Sequence, residues 1–181
     1  FDPAADGSIV GEGAVALVLK RHDDAIRDGD RIYALITGMA STTGGSTRDI
    51  VPTIEAYKTS IQQACSDAGI KTESIACIET HGSGCVAEDH VEAMALNEMF
   101  ANQNKVRENR QTVTLGSVKA DIGHTGAAGA LASIARASLG LYHSILPPLR
   151  GLRAGASIDG ISNIFNLPRT AQYWLHDRKT G

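Results

Sequence analysis

Two histidines stand in glycine-rich turns that follow apolar runs of strand length. His81 opens His81-Gly82-Ser83-Gly84 behind IACIET (75–80), and His124 closes Asp121-Ile122-Gly123-His124 behind VTL (113–115). In α/β folds the carboxyl ends of strands converge on the ligand crevice, so histidines from separate strands can face one another. Lys119 lies in the same loop as His124. A helix follows His124, and the partial positive charge at its start disfavours imidazolium. A neutral imidazole donates an N–H to a developing oxyanion without carrying the proton away. The chemistry implied is stabilisation of an enolate or a tetrahedral intermediate. The plainer alternative is that each histidine only hydrogen-bonds its own turn. The residues alone leave both open.

Other groupings read less well. Cys77, His81, Cys85 and His90 are all zinc-ligand types close in sequence. Structural zinc sites, however, pair short Cys knuckles with a second pair further on, and Cys77 sits inside an apolar run, so no metal is expected. A nucleophilic thiolate at Cys85 would need a nearby cation, and its loop offers only His81 against Glu88 and Asp89. Gly11-Glu12-Gly13 lacks the strand-first order and the lysine of a phosphate loop; its glycines fit close backbone packing.

The elements that must position these residues alternate. Ala14–Leu19 and Ile32–Thr37 read as strands covered on both faces, with a short polar helix (23–30) between them. A Gly/Ser/Thr-rich loop (38–49) is the best internal boundary. Helix 53–68 is amphipathic and stops at Gly69. Strand 75–80 leads to the first histidine, and helix 88–100 follows with Glu88, Asp89 and Glu92 at its positive end. A polar segment (102–111) precedes strand 113–115. The helix after His124 is made of small and apolar residues whose only charge between Thr125 and Tyr142 is Arg136, so it is expected to be buried. Pro147 and Pro148 end it, and the tail holds a weak strand candidate (161–165). The alternation means an α/β protein with a largely parallel or mixed layered sheet.

Composition sets the class. The 181 residues are 43% hydrophobic and 20% charged, as in an ordinary globular protein, and the net charge of −3 gives no reason to expect nucleic acid or an anionic membrane as partner. No apolar run reaches membrane-spanning length, and no signal peptide is visible at the Phe-Asp-Pro opening. The missing initiator methionine suggests a piece of something longer. Three cysteines without CxxC spacing fit a reducing compartment, the cytoplasm by default.

Taken together and in order, the motifs resemble those of the β-ketoacyl synthase (ketosynthase) family. FDPAADGSIVGEGAVALVLKR is similar to a segment from the middle of that domain. HGSGC with Asp89 and Glu92 resembles HGTGT-x-x-x-D-x-x-E, and GSVKADIGH resembles GSVKxNIGH, with LPP following the helix. The ending RTAQYWLHDRKTG is more similar to multidomain polyketide or polyunsaturated fatty-acid synthases.

The resemblance implies a thiolase-like fold, a layered αβαβα sandwich only partly present here. Residues 1–37 would be the end of the N-terminal half and 38–181 most of the C-terminal half. It implies an acyltransferase that condenses malonyl-carrier protein with an acyl thioester in fatty-acid or polyketide synthesis. His81, His124 and Lys119 match the catalytic positions, Lys119 in a structural and electrostatic role. Ser83 and Cys85 match positions binding the pantetheine arm, where Cys85 is the poorer donor. No bound cofactor or metal is implied: substrates ride on the phosphopantetheine of an acyl carrier protein, the expected partner. A homodimer or a ketosynthase/chain-length-factor pair is expected too.

The nucleophilic cysteine of the family would lie upstream of Phe1, and part of its oxyanion-hole segment beyond Gly181. Asp121 stands where the family usually has Asn, an acid three residues before His124 whose charge would favour imidazolium. The alternative reading is therefore a fragment of a catalytically silent, chain-length-factor-like partner of a ketosynthase; a zinc-binding module is the third.

Overall fold

The structure, a computed structural model, describes residues 1–45, 51–100, 112–152 and 164–174. Along them run α1 (His22–Asp28), α2 (Ile54–Ala68), a 3-10 turn (Thr72–Ser74), β1 (Cys77–Glu79), α3 (Val86–Phe100) and β2 (Val113–Gly116). There follow α4 (Lys119–Ile122), α5 (Ala127–His143), β3 (Ile145–Leu146), β4 (Phe165–Asn166) and β5 (Gln172–Tyr173). Local chemistry sets the ends of α2. The Thr53 hydroxyl accepts the Ala56 N–H at 3.2 Å, and Gly69 turns left-handed (φ 65°) so that residues 69 and 70 cap the last carbonyls.

The sheet that carries the site has the order β1-β2-β4, all parallel. All four residues of β2 are buried, as a central strand requires. Leu96 and Phe100 of α3 pack on Val113, Leu115, Ile164 and Phe165 to form the core, with the Phe100 and Phe165 rings 6.0 Å apart and tilted edge-on. A small antiparallel pair, β3 with β5, lies beyond α5.

Three expectations need correction. The apolar runs 14–19 and 32–37 form no strands; Val18 is 98% exposed and Ile36 64%. Apolarity marks a run that needs cover, but a strand also needs a partner for its ladder. Among the described residues the neighbouring chain makes one isolated bridge, Val10 to His124. Helix α5 is not buried all round: Gly129, Ala132 and Gly140 are buried while Leu131, Ile134, Leu139 and Leu141 face outward. The polar segment 102–111 and residues 161–163 of the weak strand candidate lie outside the described residues; β4 shares only Phe165 with that candidate.

Candidate active site

Strands β1 and β2 run parallel with Glu79 opposite Gly116, so both chains leave the sheet at the same edge. Thr80 reinforces that exit, donating from both its amide and its hydroxyl to the Gly116 carbonyl at 2.8 Å. His81 comes next on one chain; α4 and then His124 come on the other. The strand ends thus bring the two histidines together, with ring centroids 6.5 Å apart and planes at 86°. The turn at His124 is held from outside as well. Its amide donates to the Ile9 carbonyl at 2.7 Å, and the Gly11 amide donates to the His124 carbonyl at 3.1 Å. A Cβ on Gly11 would collide with the Ile122 carbonyl oxygen, so the glycine is what lets segment 9–11 close in.

Each ring has an N–H donor at the same nitrogen. Lys119 Nζ lies 3.0 Å from His81 Nδ1 and also donates to the His81 carbonyl at 2.7 Å. The Gly126 amide donates to His124 Nδ1 at 3.0 Å. The Gly126 amide can only donate, so His124 Nδ1 accepts and a neutral His124 ring carries its proton on Nε2; at His81 the Lys119 ammonium lies nearer Nδ1, at 3.0 Å, than Nε2, at 3.5 Å. The two rings from separate strands thus meet edge to face. Burial, reinforced by the Lys119 charge, lowers the His81 pKa and favours its neutral ring, although Glu88 pulls the other way from 3.9 Å. Burial lowers the Lys119 pKa too, opposed by Glu92, Asp89 and Glu88.

Two buried acids of α3 shape the His81 loop. Glu92 accepts the His81 and Gly82 amides at 2.8 and 2.9 Å, one on each oxygen. Burial raises its pKa despite those two bonds. Asp89 accepts the Ser83 hydroxyl at 3.2 Å and the Gly84 amide at 3.3 Å. Sequence position alone assigns both acids to the helix macrodipole. The signal for the further role is their spacing behind a run of small residues whose amides need acceptors. Ser83 is buried, its oxygen also accepting the Cys85 amide at 3.0 Å, while the Cys85 side chain is exposed.

The remaining residues fall elsewhere. Asp121 is paired with arginines, lying 3.4 Å from Arg136 Nε and 3.2 Å from Arg150 Nε. Burial pushes the Cys77 thiol up to about 11 and raises that of Cys65, leaving both as poor nucleophiles at neutral pH. Among the described residues no three His, Cys, Asp or Glu side chains are placed to hold a metal ion.

The chain is similar to known proteins in sequence and in fold. Residues 33–153 match the family described as "Beta-ketoacyl synthase, C-terminal domain". The chain is 36% identical over 154 residues to the highly reducing polyketide synthase anuA of Penicillium roqueforti, covering 84% of this chain and 7% of that protein. It is 36% identical over 148 residues to a polyunsaturated fatty acid synthase chain of Thraustochytrium sp., covering 81% and 5%. The chain superposes on ketosynthase twelve of the bacillaene polyketide synthase of Bacillus amyloliquefaciens with a TM-score of 0.84 and 29% identity. That match covers 98% of this chain and 32% of the other. The fold is thus the ketosynthase one, thiolase-like and present in part, and the chain spans about a third of a solved ketosynthase. With the motif order, the strand-end histidines and the matched residues agreeing, this chain belongs to the β-ketoacyl synthase family through its C-terminal domain.

Proposed function

We propose that the chain is part of a condensing acyltransferase in which His81 and His124 form the oxyanion site for a malonyl thioester. The C–C bond to the malonyl carboxylate breaks, CO₂ leaves, and the electron pair forms an enolate. Its oxygen takes the charge and lies between the two Nε2–H groups. The enolate carbon then attacks an acyl thioester on a cysteine; the new C–C bond forms as the thiolate leaves. Lys119 holds His81 by its Nδ1 and its carbonyl and transfers no proton.

In this reading the nucleophile belongs to the parent protein outside residues 1–181: burial holds Cys65 and Cys77 as thiols, and Cys85 stands at a position of the pantetheine arm. Residues 1–37 complete the first half of the domain and 38–181 supply most of the second. An acyl carrier protein delivers both substrates on its phosphopantetheine arm. Cys85 borders the path of that arm, and Ser83, tied to Asp89, shapes the border. The domain works as a pair, with its own copy or a related ketosynthase-like chain.

The observation that carries the proposal is the edge-to-face approach of the two rings at the strand ends, with the Gly126 amide on His124 Nδ1 and Lys119 nearer His81 Nδ1 than Nε2, an arrangement that suits two Nε2–H donors to one oxyanion. The test is His124→Ala in the intact parent, reading CO₂ release and acyl loading separately. CO₂ release should fall by at least about 100-fold, as for loss of an oxyanion donor, while loading of the cysteine persists. Loss of loading with decarboxylation intact would reverse the assignment.

A further inference from the structure

The single charge of α5 is turned inward. Arg136 is 10% exposed, and its guanidinium reaches three other parts of the chain at once. Nη1 pairs with Glu79 Oε1 at the end of β1, Nη2 donates to the Pro148 carbonyl at 2.8 Å, and Nε faces Asp121 Oδ2 of α4 at 3.4 Å. Arg150 Nε holds the other Asp121 oxygen at 3.2 Å. The contact leaves no spare room, because a Cβ on Gly116 would meet both Arg136 Nη1 and Glu79 Oε1 at 2.5 Å. Glu79 is as buried as Arg136, and its second oxygen is buried without a hydrogen-bond partner. Beside a backbone hydrogen bond with Val118, the arginine is the charged partner that holds its side chain.

Glu79 stands two residues before His81, and Asp121 stands between Lys119 and His124. One planar fork thus joins the two chain segments from which the imidazoles depart. We infer that Arg136 is a positioning residue: it fixes the separation of His81 and His124 by bridging Glu79 and Asp121. The inference rests on the condensation reading above. An ammonium in its place is a single point charge on a flexible stem and cannot hold the two carboxylates and the Pro148 carbonyl in one plane. The site should therefore keep its charge and lose its register.

The test is Arg136→Lys in the intact parent, with Arg136→Gln beside it as the neutral variant. Read-outs are kcat and KM for CO₂ release from malonyl-carrier protein, acyl loading of the nucleophile, and thermal unfolding. With Arg136→Lys, kcat for decarboxylation should fall about 10- to 100-fold, the scale of a small misplacement, with KM and loading within about twofold of wild type. Arg136→Gln should show the same split or a deeper one. An unchanged kcat in Arg136→Lys overturns the inference, as does a parallel fall of loading and decarboxylation, which marks a merely structural residue. A wild-type parent that releases no CO₂ sinks the condensation reading itself; a wild type that does, matched by Arg136→Lys, sinks only the role of Arg136.

Discussion

At the scale of single residues, the site works by what each nitrogen is prevented from doing. Lys119 lies nearer His81 Nδ1 than Nε2, which favours the ring that carries its proton on Nε2, and burial with the lysine charge favours the neutral ring. The pH consequence has a definite sign. A histidine whose folded pKa lies below the usual 6.5 stays neutral as pH falls through 6.5, and the folded state charges it only at lower pH. The His81 limb of the pH profile for decarboxylation should therefore lie on the acid side of 6.5. A limb at or above that value, absent from the His81→Ala variant, would contradict the burial of the ring beside Lys119. The histidines and Lys119 are legible in the sequence because a glycine-rich turn after a strand is a local pattern. The partners of Arg136 are not: Glu79 lies 57 residues away, and nothing local marks an acid in a short strand as its mate.

At the scale of elements, two parallel strands set direction and the segments around them set distance. Helix α3 is legible from composition, yet its first turns do more than complement the macrodipole, since Glu92 and Asp89 take up the amides of the His81 loop. Such contacts depend on how a loop folds back over a helix, which spacing suggests and only packing decides. Segment 9–11 does the equivalent for His124, and Gly11 is the residue that permits it. Gly11→Ala should force that segment away from Ile122 and destabilise the parent by about 1–3 kcal/mol, the usual cost of overpacking. Chemical denaturation measures it; an unchanged midpoint would mean that the contact does not set the turn. The strands expected at 14–19 and 32–37 show the opposite failure. Their apolar runs are plain in the sequence, but strand pairing is a property of two segments, and the second is not found among the described residues.

At the scale of the molecule, the chain displays surfaces that its composition marks as interior. Val18, Leu19, Leu35, Ile36 and Met39 are exposed, as is one side of α5, while the chain spans about a third of a solved ketosynthase. No helix among the described residues is long and apolar enough to cross a membrane. The small core around Phe100 and Phe165 nevertheless holds the β1-β2-β4 sheet, so the site's geometry rests on elements that this chain supplies itself. The central claim is that both histidines serve the intact enzyme as Nε2–H donors. It is tested most directly by comparing CO₂ release in the parent carrying His124→Ala and His124→Gln. A glutamine amide can present an N–H near the Nε2 position but cannot act as an imidazole base. His124→Gln should release CO₂ about tenfold or more faster than His124→Ala, on the scale of one oxyanion donor. A glutamine variant as inactive as the alanine one, with loading intact in both, would contradict it.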